Sequence, residues 1–309
     1  MNRESGKIPE SGNEKETIFM TAKGKNKTFD TIITIFMCLL VVICLVPILN
    51  ITAISFSSNN AILGKKVFLL PSGWNLASYN AVFHDRTMIR SMGFTIVLTA
   101  MFTALSMLMT ILAAYPLSKK HLKGRTFFLF LIVFTMYFSG GMIPDYILMK
   151  NLNLLDSVWC LILPAMLSAY NMIILKTFFS NLPSSLEESA YLDGASHLVI
   201  LIRIVLPLST PVLATLSLFY AVWRWNAFND ALFYISSSEL FPMQLKLYQL
   251  VFNNMALEIS EQEGGGKSQL LSESLKAASI VFTTVPILLV YPWLQRYFIS
   301  GIMIGAVKG

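Results

Sequence analysis

The chain has 309 residues, 55% of them hydrophobic, with 22 Phe and 16 Met, and only 13% charged. That composition excludes an ordinary soluble domain and points to a membrane protein, because several apolar runs each reach the roughly 20 residues that cross a ~30 Å hydrocarbon layer. The net charge of +6 does not read as a nucleic-acid surface, since the basic residues stand at the ends of apolar runs rather than in a stripe interleaved with aromatics.

Residues 1–30 are polar, mixed in charge and rich in Lys, with no apolar core leading to a small-residue cleavage site. No cleavable signal peptide is expected there, and the first span itself directs insertion. Six spans follow at about 31–54, 91–118, 126–149, 157–179, 212–234 and 276–295. Lipid offers no partner to a backbone amide, so each is expected to be a helix, with Pro116, Pro164 and Pro286 tolerated inside the bundle. The expected fold class is therefore all-α: a polytopic bundle over 31–295, a tail at 1–30 and another at 296–309. Cys38, Cys44 and Cys160 lie inside spans and read as small buried apolar residues, with neither a disulfide framework nor metal-ligand spacing.

Basic residues set the expected orientation. Arg3, Lys7, Lys15, Lys23, Lys25 and Lys27 precede the first span, and Lys119, Lys120, Lys123 and Arg125 follow the second. With Lys176, Arg203, Arg296 and Lys308 they form a majority of the 23 Lys and Arg. This places both termini and the 181–211 segment in the cytoplasm, and the longer loops 55–90 and 235–275 outside. Within the second outer loop "EGGGKS" imitates the end of a nucleotide-binding loop, but Glu261 stands where its first Gly is needed and no apolar strand precedes it. A flexible linker is the expectation, and no nucleotide site is visible elsewhere. In the same loop "LFPMQLKLYQLVF" is expected to form a helix on the membrane surface.

The stretch "EESAYLDGASHLVILIRIVLPLSTP", residues 187–211, interrupts the apolar pattern. Leu186, Ala190 and Asp193 fall at helical spacing, Ser184 and Ser185 are suited to capping, and Glu187 and Glu188 suit the positive end of a helix dipole. Gly194 is suited to the left-handed residue that ends a helix, a second helix is expected over 195–205, and Pro207 and Pro211 reset the backbone. An acidic amphipathic helix is repelled by an anionic leaflet, so its expected partner is a protein.

Glu188, Ser189, Ala190, Gly194, Ile204, Leu206 and Pro207 reproduce the spacing of the cytoplasmic "EAA" loop of binding-protein-dependent ABC importer permeases. Asp193 and Ala195 flank the glycine as in the sugar-importing branch, while Ser189 replaces the usual Ala and Ser185 an acidic residue. "FSGGMIPDYILMKNLNLLDS", "WRWNAFND" and "QRYFISGIMIGAVKG" also resemble MalG-like carbohydrate permeases, particularly the oligosaccharide and uronate-polymer branch. This resemblance implies a bacterial cell-membrane subunit that does no chemistry and binds no cofactor. It would pair with a second homologous permease on a cytoplasmic ABC ATPase dimer holding ATP-Mg, and receive carbohydrate from an extracytoplasmic solute-binding protein. Glu187, Glu188, Ser189, Ala190, Asp193, Gly194, Ile204, Leu206 and Pro207 would couple to the ATPase, and the C-terminal tail would approach it.

Polar residues within spans usually face the bundle interior. Tyr170 and Asn171 in the fourth span, and Arg224, Trp225, Asn226, Asn229 and Asp230 in the fifth, are the candidates for a sugar path. Arg224 suits either an acidic sugar or an internal pair with Asp230. An ion-coupled secondary transporter is the alternative, but no carboxylates recur at matching positions in two halves. A membrane enzyme is disfavoured by the wide separation of His84, His121 and His197 and by the lack of nucleophile or metalloprotease motifs.

Overall fold

The computed structural model describes residues 27–262 and 273–306, with side chains over 29–252 and 273–290. The "EGGGKS" segment and residues 1–26 lie outside it. All regular structure among the described residues is helical.

Helix α1 (Lys27–Ser55) is one unbroken rod despite Pro47. Its apolar stretch has no buried residue, and Cys38 and Cys44 are exposed on it. The sequence reading of all three cysteines as buried therefore holds only for Cys160, because the apolar stretch of α1 that carries the other two has no buried residue among the described residues. Short helices α2 (Asn59–Leu63) and α3 (Ala77–His84) lead to α4 (Arg86–Ser118), whose first turn is closed by Asp85 accepting from the Thr87 N–H at 2.8 Å.

The expected third span, 126–149, is broken. Helix α5 (Arg125–Tyr137) and helix α6 (Met142–Asn151) meet at 116° across residues 138–141. Gly141 at the break has φ 87° and ψ 166°, a region essentially closed to residues with a Cβ. Thirteen residues of α5 rise only about 20 Å, short of a full crossing.

The fourth run starts with 3-10 turns over Val158–Ala165, bends 51°, and continues as α7 (Ala169–Ser180), capped by Ser168. Helix α8 (Ser184–Leu192) follows, then α9 (His197–Leu208), which contains a π-helical turn at Leu201–Val205. Pro207 sits inside α9; the backbone resets at Ser209, where the chain turns 83° into α10 (Thr210–Asn226). The expected fifth span thus stops at Asn226, and α11 (Asn229–Tyr234) is a separate short helix. The 235–275 segment supplies α12 (Met243–Gln262), and α13 (Glu273–Ala306) runs on past residue 295 through most of the expected C-terminal tail.

Among the described residues three helices are long and apolar enough to cross a membrane, and three bent pairs pass the same test jointly. The core packs α4 against α7 and α10 around Leu98, Phe102, Met172, Leu175 and Leu216, each 1% exposed or less.

At one end of the bundle the Asp156 carboxylate accepts from the Ser236 and Ser237 N–H groups at 3.0 and 2.8 Å and from the Ser237 hydroxyl. The Ser237 hydroxyl, then its N–H, holds Asp156 below the usual carboxylate range. A group depressed in the folded state favours folding above its unfolded pKa and loses that contribution as pH falls through the folded value. Limited proteolysis is therefore expected to cut 234–240 faster once pH drops below the ordinary carboxylate range, and Asp156→Ala to show that rate already at neutral pH.

Candidate functional site

Two groups of the expected residues are brought together. The first is the acidic loop. Pro183 occupies the N-cap of α8 and makes no side-chain cap, so Ser184 and Ser185 lie in the first turn rather than capping it. The proline fixes φ near the helical value at this entry, and its carbonyl accepts the Leu186 N–H at 3.3 Å. The other end is closed fully: the Gly194 N–H reaches the Tyr191 carbonyl at 3.0 Å and the Ala195 N–H reaches the Ala190 carbonyl at 2.9 Å, with Gly194 at φ 80°. This is the complete double hydrogen-bonded C-cap in which glycine takes the left-handed position.

The faces of α8 are sharply divided. Ala190 is buried in the same apolar cluster as Tyr115, Leu117, Phe179 and Leu201. Glu188, Ser189, Asp193 and Gly194 are exposed, and Leu192 is 91% exposed. Such a leucine at the helix tip beside carboxylates is a projecting apolar knob with an acidic rim. In α9, Ile204 and Leu206 pack against the core while Pro207 is exposed. Glu187 is half-buried and its carboxylate is paired with Lys119, the C-cap residue of α4. The two are 68 residues apart, so no local pattern announces the pair.

The second group surrounds the "WRWNAFND" break. Arg224 is 1% exposed and its guanidinium donates to both Asp230 oxygens, to the Leu161 carbonyl at 2.9 Å and to the Ala227 carbonyl at 3.3 Å. Phe102 and Trp223 rings flank it at 5.9 and 5.6 Å. The internal pair is therefore formed, and it holds the α10–α11 break to the 3-10 turn at Val158–Leu161. Trp225 is also buried, against Val82, Met88, Met92 and Met243, and faces a cavity of about 570 Å3 with predominantly apolar walls between α4, α10 and α13.

Tyr170 and Asn171 line a different cavity, of about 780 Å3, together with Ser168, Tyr220 and Trp223. Tyr170 and Trp223 are 58% and 50% exposed, whereas Asn171 is buried. The Tyr220 hydroxyl bonds Thr110 at 2.7 Å and accepts the Ser168 N–H at 3.1 Å, so the back wall is tied to α4 and to the start of α7. Asn226, Asn229 and Asp230 line a further cavity of about 440 Å3, which shares Val222 and Trp223 with the larger one. Trp223 and Tyr220, missed in the sequence, join Tyr170 and Phe219 on the wall of the larger cavity; their spacing of three along a helix was the available signal.

A bundle of apolar helices with an exposed acidic loop at one end and polar-aromatic cavities between helices has the architecture of a multi-pass membrane permease. The chain belongs to the family of binding-protein-dependent transport system inner membrane components, whose model matches residues 17–304. It is 44% identical over 285 residues to the polygalacturonan/rhamnogalacturonan transport system permease protein YtcP of Bacillus subtilis, covering 92% of this chain and all of that one. It is 42% identical over 298 residues to protein LplC of the same organism, covering 96% and 99%. Among solved structures it resembles a chain of a bacterial ABC transporter involved in import of the acidic polysaccharide alginate, with a TM-score of 0.81, 31% identity, and coverage of 89% and 98%. A second alginate transporter structure, in complex with a pentasaccharide-bound periplasmic protein, matches with a TM-score of 0.54 and 16% identity, a likeness of fold alone. The relatives are transporter permease subunits, and this chain is a transport subunit rather than an enzyme.

Proposed function

We propose that this chain is the transmembrane permease subunit of an ATP-driven importer of carbohydrate, of the oligosaccharide class. The observation that carries the coupling half of this reading is the α8 loop: a rigidly terminated helix that presents Leu192, Glu188 and Asp193 outward and anchors itself through buried Ala190. The substrate half rests on relatives named for polygalacturonan and rhamnogalacturonan, and for arabinooligosaccharides, and on the alginate transporter structure.

In this reading six spans cross the bacterial membrane with both termini cytoplasmic. A second homologous permease completes the path, a solute-binding protein delivers sugar from outside, and a cytoplasmic ATPase dimer carries the ATP-Mg. Glu188, Ser189, Asp193 and Leu192 meet the ATPase, and Ile204, Leu206 and Pro207 connect that helix to the spans. Closure of the ATPase pair moves α8 as a rigid body and rocks the bundle between its two openings.

The sugar wall of this subunit is Tyr170, Asn171, Tyr220 and Trp223, with Asn226 and Asp230 at its neighbouring cavity. Exposed aromatic faces suit the C–H faces of sugar rings, and an asparagine amide suits a vicinal hydroxyl pair. Arg224 and Trp225 serve the fold, since the first is neutralised by Asp230 and the second is buried among methionines.

The test is purification of the tagged chain in mild detergent with identification of what it retains, followed by uptake in reconstituted vesicles. An ATPase and a second six-span permease are expected, and Trp223→Ala is expected to raise the sugar concentration for half-maximal uptake about tenfold with assembly unchanged. A chain that purifies with no ATPase overturns the reading and returns the ion-coupled carrier.

A further inference from the structure

The acidic helix α8 hangs between two single-residue joints. Pro183 enters it without a side-chain cap, and Gly194 leaves it in the left-handed conformation with no atom near the position a Cβ would occupy. Buried Ala190 and the closed C-cap seat the C-terminal half of α8, and the first turn has no such anchor, so force delivered to the tip is partly lost as a swing of that turn. A second contact restrains that first turn. The Lys119 ammonium, at the end of α4, pairs with the Glu187 carboxylate in the first turn of α8. The side chains are only 15% and 16% exposed, so water competes weakly for the pair.

The lysine is itself held. It stands 4.4 Å over the Tyr115 ring, and Tyr115 meets Phe179 of α7 edge-on at 6.3 Å. Alongside, the Ser180 hydroxyl donates to the Ser118 carbonyl at 3.4 Å and the Arg125 Nε donates to the Leu117 carbonyl at 2.8 Å. The ends of α4, α5 and α7 thus converge on the carbonyls and ring beside Lys119, and the first turn of α8 is tied to that convergence through the Glu187 carboxylate, in addition to the packing of Ala190.

We infer that Lys119 and Glu187 are a positioning pair that transmits motion of α8 to the end of α4. Glu187 faces inward to this strut, and Glu188, whose carboxylate is exposed and makes no hydrogen bond among the described residues, is the carboxylate left for the ATPase. The division follows from helix geometry, since neighbouring residues point about 100° apart. Helix α4 is the receiver because it packs against both α7 and α10, whose residues line the large cavity, so its displacement alters the space between them. This inference rests on the reading of α8 as the ATPase-docking helix.

The experiment uses the complete reconstituted transporter, this chain with its second permease, ATPase and binding protein, and measures sugar taken up per ATP hydrolysed. Lys119→Met and Glu187→Gln are expected to assemble in normal amounts and to lower that ratio about tenfold while ATP hydrolysis changes less than about twofold. The exchange Lys119→Glu with Glu187→Lys is expected to restore it in part, because the reversed pair keeps opposite charges but loses the cation over the Tyr115 ring. A purely stabilising pair would lower abundance, uptake and hydrolysis together and leave their ratio unchanged; that result, or an unaltered ratio in both single variants, overturns the proposal.

Should the single variants fail to accumulate, Lys119→Cys with Glu187→Cys, in a chain with Cys38, Cys44 and Cys160 replaced, is closed with a short bifunctional maleimide. Transport surviving the covalent link supports a strut that stays shut, and transport lost on linking overturns it. A wild-type complex that retains no ATPase fails at the earlier step and overturns the docking-helix reading instead.

Discussion

Asp230→Ala is expected to remove most of this protein from the membrane, and Arg224→Met to do less damage. Arg224 is wholly enclosed, while Asp230 keeps 23% of its side-chain exposure. Without the carboxylate the guanidinium stays charged, since arginine does not deprotonate in proteins, and it is left with the Leu161 and Ala227 carbonyls as its only acceptors among the described residues. Stranding a buried charge in this way costs about 3–5 kcal/mol, a large part of the 5–15 kcal/mol by which a typical domain is stable. Removing the arginine leaves an aspartate that is still partly exposed at a cavity edge, so its desolvation is incomplete. Membrane abundance and thermal inactivation in detergent should rank wild type above Asp230→Asn, then Arg224→Met, then Asp230→Ala. Equal abundance of the last two would show that the pair is not desolvated as described.

Gly194→Pro is expected to abolish uptake at normal membrane abundance. A proline there fixes φ near −65°, against the observed 80°, and lacks the N–H that reaches Tyr191. The whole cap is lost and the tip of α8 loses its shape, while the spans, packed elsewhere, insert as before. Gly194→Ala isolates the conformational part, because a Cβ meets no neighbour: about 1–2 kcal/mol of left-handed strain and a partial loss of coupling. Gly194→Asn should retain most function, since asparagine tolerates that region. Glu188→Lys probes chemistry instead. It leaves every described hydrogen bond intact and reverses one charge on the outward face, so at least a tenfold loss of ATPase recovery is expected with the chain intact. Normal ATPase association and uptake in both Gly194→Pro and Glu188→Lys would sink the docking assignment.

The apolar runs were legible because a bilayer imposes length and hydrophobicity on any helix that crosses it, whatever it packs against. The break at 138–141 was less so: the glycines were visible, but whether they bend a helix or merely sit in it depends on a φ that composition does not specify. Trp225 and Trp223 show the same limit within one helix. Both are aromatic and both stand in "WRWNAFND", and only Trp225 was expected in the path, yet a rotation of two residues sends Trp225 into the methionine cluster and Trp223 onto the cavity wall.

The sequence by itself determined an all-helical membrane chain with an acidic, glycine-terminated helix interrupting its spans. Those features are local: hydropathy, the spacing of Glu188, Ala190 and Gly194, and the freedom of glycine at positive φ are carried by consecutive residues. Only the tertiary structure decided that Arg224 belongs to Asp230 and that Glu187 belongs to Lys119. In both cases a charge had more than one possible partner in the chain, and the choice was made by which helix ends packing brought together and how far that packing excluded water.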